Sequence, residues 1–238
     1  MNWVLANTDT IWDDVVAHLT IAIPPIIISF LLSIPIGWLV VRLRRAGGRP
    51  VTRSVGGGIV TVAGLLYAIP SLPLFIALPS ILGTGLQDPV NVVIGLTLYG
   101  LALMVRSTVD GLESVDAPTV SAATAMGYSG AQRFFRVDLP LAGPVLLAGL
   151  RVVAVSTISL TTVGAVLGIQ SLGSLFTDGI GRGITEEIVS GIVMVLVLAF
   201  AIDGLLVLLG RLVMPWTRKT TVSKRQARRV LQAAEVTS

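Results

Sequence analysis

Leu19 to Val41 is a run of 23 residues without a single charged side chain. At about 1.5 Å per residue, a helix of that length crosses the roughly 30 Å hydrocarbon core of a bilayer. Nothing else in the chain constrains it as strongly, because lipid satisfies no backbone N–H or C=O. A lipid-exposed span must therefore be a helix or part of a closed barrel. The run is not alone. Gly56–Leu82, Val90–Val105, the segment from Leu141 to about Ile169, and Ile188–Leu209 are comparably apolar. With 53% hydrophobic residues, 13% charged residues and a mean hydropathy of +0.88, the 238-residue chain reads as all-α. The expected architecture is a polytopic membrane helix bundle of about five transmembrane helices. A secretory leader has a basic front and a shorter apolar core. The first run has an acidic front (Asp9, Asp13, Asp14) and a basic back, so it reads as a retained helix, kinked at Pro24, Pro25 and Pro35.

Charge placement sets the expected orientation. Arg42, Arg44, Arg45, Arg49 and Arg53 crowd the loop after the first span, and seven basic residues with one acid, Glu235, fill the tail from Arg211. Fifteen of the seventeen basic residues fall in three segments that a five-span path puts on one side, leaving only Arg151 and Arg182. The positive-inside rule makes that side the cytoplasm. The N-terminus is then outside and the C-terminus inside. A sixth span, made by splitting Leu141–Leu172, would send the basic tail outside and is rejected. The expected parts are an extracytoplasmic segment 1–14, a transmembrane domain 15–215 with a cytoplasmic loop at about 107–140, and a basic cytoplasmic tail 216–238. The third span looks brief, with Arg106 snorkelling at its inner edge. Residues 170–187 read as a glycine-rich outer loop.

The cytoplasmic loop has a definite local grammar. Asp116 can cap a helix whose first turn holds Pro118, and Ser121 to Met126 continue it with mostly small side chains. Gly127 can adopt the left-handed conformation that ends a helix. Ser129 followed by Gln132 is a capping-box pattern, so a second helix starts there. That helix carries Phe134 and Phe135 and is expected to stop at Leu139-Pro140. Helix, glycine turn and helix form a compact knob.

The spacing within that knob resembles the signature of the membrane subunits of bacterial ABC importers: E-A-A, three residues, G, nine residues, I, one residue, L-P. Here Ser121-Ala122-Ala123, Gly127, Val137 and Leu139-Pro140 stand at those intervals, and five of the seven constrained positions match. Ser121 replaces the acid that in this family can pair with a basic residue of the ATPase, and Val137 replaces the isoleucine. The order of elements is similar too, over roughly residues 15–215. Ala68-Ile69-Pro70-Ser71-Leu72-Pro73-Leu74, and Leu98-Tyr99-Gly100-Leu101 through Val105-Arg106-Ser107-Thr108, look most like the branch importing glycine betaine, choline, carnitine or proline. Methionine and other amino-acid permeases share the fold. The resemblance implies a permease in a bacterial cell membrane, surrounded by lipid and paired with a second copy or a sister permease. It also implies two cytoplasmic ATPase subunits and an extracytoplasmic solute-binding protein. The knob (Ser121, Ala122, Ala123, Gly127, Phe134, Phe135, Leu139, Pro140) would be the ATPase-docking coupling loop. Phe134 and Phe135 would anchor in the ATPase cleft or against the permease's own spans. ATP and Mg would belong to the partner ATPase, with no cofactor on this chain.

Two further groups stand out. Tyr67, Pro70, Ser71 and Pro73 lie where regular helix must break; they either line a translocation path or end a helix at the outer interface. Arg151 and Asp203 are ionisable residues in or near spans four and five. They either pair at similar depth, or Arg151 snorkels to the inner headgroups while Asp203 meets water in a lower pore. The single histidine, His18, is expected at an interface. With no cysteine there are no disulfides or thiolate metal sites, and one histidine gives no metal centre. No catalytic set is visible, and Gly56-Gly57-Gly58 lacks the lysine of a phosphate loop. A basic patch without a soluble domain gives no nucleic-acid site. A stand-alone secondary transporter would bring more intramembrane ionisable residues or internal repeats; a scaffold or a membrane enzyme would leave the knob unexplained.

Because the chain lacks cysteine, single replacements report orientation without background. Gly85→Cys is expected to react with an impermeant thiol reagent added outside intact cells, whereas Gly48→Cys and Arg225→Cys stay unlabelled until the membrane is opened. Outside labelling at position 225 would overturn the five-span path.

Overall fold

A computed structural model describes residues 2–45 and 50–217. Ten α-helices follow one another: α1 Asn2–Ala6, α2 Thr8–Arg45, α3 Pro50–Leu66, α4 Ser71–Leu82, α5 Pro89–Glu113, α6 Ala117–Ala125, α7 Gly130–Arg133, α8 Leu139–Thr161, α9 Ser174–Arg182 and α10 Thr185–Val213. A π turn, Phe134–Asp138, joins α7 to α8, and a 3-10 turn, Thr162–Leu167, follows α8. Among the described residues, four helical stretches are long and apolar enough to cross a membrane, and the bent pair α3–α4 makes a fifth if counted as one span. No strand occurs among the described residues. The arginines at 49, 218, 225, 228 and 229, the lysines at 219 and 224, and nearly all of the tail 216–238 lie outside the described residues.

The central element is α5, packed along α2 on one side and α8 on the other. Small residues bring these helices together. On α2, Ser29, Ser33 and Gly37 recur every fourth position and share one face. A β-carbon on Gly37 would lie 2.5 Å from Thr108 Cγ2, and one on Gly100 would lie 2.5 Å from Ser29 Oγ. On the α8 side, a β-carbon on Gly149 would lie 2.5 Å from the Ser107 β-carbon. Lipid tails are as apolar as leucine, so span association depends on such close approach and on hydrogen bonds between helices. Thr108 supplies one, donating to Ser33 Oγ at 3.0 Å.

α2 is one helix of 38 residues, about 57 Å long, so it projects well beyond the hydrocarbon. It runs unbroken through Pro24, Pro25 and Pro35, and begins at Thr8, so most of the expected outer segment 1–14 is helical. His18 departs from expectation: it is fully buried, and its Nε2 donates to the Ile158 carbonyl at 3.0 Å. The turn after α8 explains the vacancy it fills. Thr162 N–H bonds back to the Ser159 and Leu160 carbonyls, leaving the Ile158 oxygen for a partner from α2.

Two other lengths differ from expectation. α5 extends to Glu113, so residues 107–113 belong to the third helix rather than to the loop. Its charged residues Arg106, Asp110 and Glu113 are exposed and compatible with helix, so only the apolar stretch ends at Val105. The glycine-rich segment 170–187 contains α9, closed by Gly183 at φ 69°. Within it Arg182 pairs with the buried carboxylate of Glu187. At the same end, Gln170 donates to buried Asp14 at 3.1 Å.

The proline-rich region does break. α3 and α4 meet at 102°. Pro70, extended at φ −63° and ψ 137°, precedes α4. The bend is tied to α5, because Tyr99 Oη donates to the Ile69 carbonyl at 2.6 Å and the Tyr67 and Tyr99 rings meet edge to face at 5.7 Å. Phe75 then seats against Gly95, where a β-carbon would lie 2.5 Å from its ring.

α10 is little covered within this chain, with Glu187, Ser190, Gly191 and Gly210 as its buried residues. It packs on α8 and α9. Arg151 of α8 and Asp203 of α10 join in a two-pronged contact, Nε to Oδ1 at 2.6 Å and Nη2 to Oδ2 at 2.7 Å. Such fork geometry fixes orientation as well as charge. Arg151→Gln or Asp203→Asn alone is expected to lower the yield of folded protein severalfold, since each strands its partner. The exchange Arg151→Asp with Asp203→Arg is expected to restore part of it. Additive losses in the double variant, measured by fluorescence-detected gel filtration, would mean that the two do not act as a pair.

Candidate functional site

The candidate site is the knob between α5 and α8. Asp116 occupies the N-cap position of α6 in extended conformation, without a side-chain capping bond, and Pro118 lies in the first turn. The helix ends in a Schellman arrangement: Tyr128 N–H reaches the Ala123 carbonyl at 3.2 Å, and Gly127 N–H reaches that of Thr124 at 3.0 Å. Gly127 has φ 85°, the left-handed conformation that the arrangement requires. α7 then starts with a complete capping box. Gln132 N–H donates to Ser129 Oγ at 3.3 Å, and Ser129 N–H donates to Gln132 Oε1 at 3.0 Å.

The second helix does not stop at Pro140, which corrects the sequence expectation. From Gly130 to Leu167 the chain forms one continuous helical rod. A proline inside a regular α-helix collides with the carbonyl four residues earlier. The π turn avoids this, with Leu139 N–H bonding to the Phe134 carbonyl five residues back. Pro140 then falls in the first turn of α8, where no N–H is needed. The knob is therefore a short helix, α6, standing on the front end of a span.

Its residues divide by exposure. Ser121, Ala122 and Gly127 are exposed, while Ala123 is buried against the rest of the knob. Phe134 and Phe135 part company. Phe134 is buried with its ring 5.8 Å from Trp38 of α2, so it anchors on the chain's own spans. Phe135 is 66% exposed and Met126 70% exposed, two large apolar groups turned outward. Leu139 and Pro140 are half-buried at the entry to α8. Tyr67, Pro70 and Pro73 are exposed in the isolated chain and Ser71 half-buried, all around the α3–α4 bend and away from the knob.

A polar network that the sequence reading missed holds the knob to the bundle. Arg133 of α7 donates to Asp138 at 3.3 Å, and Arg45 of α2 stands 4.0 Å from the same carboxylate oxygen. Arg45 also donates to the Leu112 carbonyl of α5 at 3.0 Å, and Arg44 grips Glu113 with contacts of 3.0 and 3.2 Å. In the sequence these arginines register only as orientation signals. Asp138, an acid embedded among basic residues, was the available clue. The arrangement makes a stiff post with a small, exposed helical head. No group of histidine, cysteine and carboxylate residues able to hold a metal occurs among the described residues.

Comparison with known proteins bears on the family and the fold. The family model described as "Binding-protein-dependent transport system inner membrane component" matches residues 14–219. The choline transport system permease protein OpuBB of Bacillus subtilis (strain 168) is 27% identical over 198 residues, covering 83% of this chain and 86% of that protein. The osmoprotectant import permease protein OsmW of Salmonella typhimurium is 28% identical over 209 residues, covering 87% and 93%. An inward-facing structure of the MetNI methionine ABC transporter superposes with a TM-score of 0.76 at 20% identity, covering 87% of this chain and 98% of that one. It shares the fold. With the family match spanning most of its length, the chain belongs to the inner-membrane components of binding-protein-dependent transport systems.

Proposed function

We propose that this permease forms the translocation path of an ATP-driven importer for a small quaternary-ammonium osmoprotectant: glycine betaine, choline or carnitine. The observation that carries the substrate class is the similarity, over 83% or more of this chain, to permeases whose names specify choline, glycine betaine, carnitine or osmoprotectants. Recognition of the cation falls to the extracytoplasmic binding protein. Quaternary ammonium groups are held in aromatic cages, whereas this chain is only 5% aromatic and its aromatic residues are scattered.

In this reading α6 docks in a cleft of the cytoplasmic ATPase, with Met126 and Phe135 as apolar contacts. Ser121 lacks the carboxylate common at that position, so shape carries more of the docking. ATP-driven approach of the two ATPases pushes each head, and α7, the π turn and α8 pass the push into the membrane as one rod. The Arg151–Asp203 fork carries it on to α10. Two permeases, identical or sister chains, would enclose the path, with the bend at Tyr67–Pro73 among its candidate lining. Orientation follows the arginines, with the knob in the cytoplasm and the N-terminus outside.

The substrate assignment is tested by uptake in cells lacking their own osmoprotectant importers, expressing this chain with its cognate ATPase and binding protein. Labelled choline or glycine betaine is expected to accumulate. Accumulation of methionine instead would move the assignment to the amino-acid branch.

Docking is tested separately. Gly127→Val places a β-branched residue at φ 85°, at a cost of about 1–2 kcal/mol. It is expected to leave membrane insertion intact while reducing ATPase copurification and uptake. Gly127→Asn, which tolerates that conformation, is expected to remain near wild type. Full substrate-stimulated ATP hydrolysis in Gly127→Val would remove α6 from the docking role.

A further inference from the structure

Two cavities lie along the seam between α2 and the α7–π turn–α8 rod, and they have opposite chemistry. The first, of about 550 Å³, is lined by Trp38, Arg42 and Arg45 of α2 and by Arg133, Phe134 and Asp138 opposite. The second, of about 510 Å³, is almost wholly apolar; Phe30 and Ile34 of α2 face Leu146 and Leu150 of α8, and α10 and Trp216 complete the lining. Phe30, Ile34, Trp38 and Arg42 recur every fourth residue, so a single stripe of α2 passes from the apolar groove into the basic pocket. On the opposite wall, consecutive residues Asp138 and Leu139 line one cavity each.

We infer that this seam binds one anionic glycerophospholipid of the phosphatidylglycerol type, with its headgroup among the arginines and an acyl chain in the groove. Charge favours an anion: three guanidinium groups face the single carboxylate of Asp138. That carboxylate is already engaged through Oδ2 by Arg133 at 3.3 Å, with Arg45 at 4.0 Å. The Arg42 guanidinium sits 5.3 Å from the Trp38 ring centre, so its charge stays at the pocket wall. Arginine matches phosphate oxygens through paired N–H donors. Asp138 offers little of its own surface to the pocket. It is 96% buried, and its Oδ1 has no hydrogen-bond partner among the described residues. Its charge is engaged from within by Arg133 and Arg45, so the open face of the pocket is left to the guanidinium groups. The adjoining apolar groove distinguishes a lipid from a soluble phosphate, which would leave it without a matching partner. Basic pockets between spans near the cytoplasmic surface are a recurring mode of anionic-lipid recognition. Only the assignment to the inner leaflet rests on the orientation proposed above; the binding itself does not.

The test is native mass spectrometry of the purified full-length permease in detergent, with equimolar dioleoyl-phosphatidylglycerol and dioleoyl-phosphatidylcholine. Preferential retention of one phosphatidylglycerol is expected. Arg42→Gln with Arg133→Gln is expected to reduce that retention by roughly tenfold or more. Dihexanoyl-phosphatidylglycerol and inorganic phosphate are expected to compete poorly, because neither fills the groove. Equal retention of the two lipids, no effect of the double substitution, or equal competition by phosphate would overturn the proposal. A measurement that leaves the arginines intact uses a chain with Trp3→Phe and Trp12→Phe. Phosphatidylglycerol brominated in its acyl chains is expected to quench the remaining Trp38 and Trp216 fluorescence more than brominated phosphatidylcholine does. Equal quenching would also refute the site. So would displacement of the bound lipid by the docked ATPase, which would make the pocket part of the protein interface. Uptake of the wrong substrate would refute the functional reading while leaving this one standing.

Discussion

Everything in this permease depends on how closely α5 can approach its neighbours. Inside a bilayer, burying apolar surface gains little, because lipid is as good an apolar environment as protein. What remains is contact, and the contacts here are made by removing atoms. Gly100 admits Ser29, Gly37 admits Thr108 and Gly149 admits Ser107, each at a distance where a single β-carbon would collide. These notches set the spacing of α2, α5 and α8. On that frame hang the bend at Ile69, held by Tyr99, and the knob, held by Arg45 and Asp138.

The class of fold was legible because hydrocarbon leaves few choices. An uncharged run of 23 residues permits little besides a spanning helix. The knob was legible for a different reason: Gly127 and the Ser129–Gln132 pair act within a few residues of themselves, so local chemistry suffices. The break around Pro70 was readable on the same terms. Features that depend on distant partners were not. His18 looked like an interfacial residue because nothing in the sequence announces that a tightened turn 140 residues later leaves the Ile158 carbonyl open to it. The continuation through Pro140 was hidden because a π turn has no simple sequence signature. The far end of α5 and the helix inside residues 170–187 were missed because hydropathy marks the edge of the lipid and not the edge of the helix.

The same distinction governs the arginines after the first span. Counted together, they give an orientation. Taken one at a time, they do different work: Arg44 holds Glu113, Arg45 bridges Leu112 and Asp138, and Arg42 lies against Trp38. A cluster that reads as redundant charge contains non-equivalent positions, and the difference comes from the faces that a 100° step per residue assigns to them.

The π turn at Phe134–Asp138 has a consequence for how the head is aimed. A turn closed over five residues contains one residue more than an α-helical turn. Each residue corresponds to about 100° of rotation around the axis. That extra residue therefore sets the azimuth of α6 relative to the bundle, much as a spline fixes a gear on its shaft. Losing one residue there would swing the head by more than a quarter turn and carry Phe134 off Trp38, even if every cap in the knob stayed intact. The direction in which the head points, as distinct from its attachment, is thus encoded in the length of a five-residue segment.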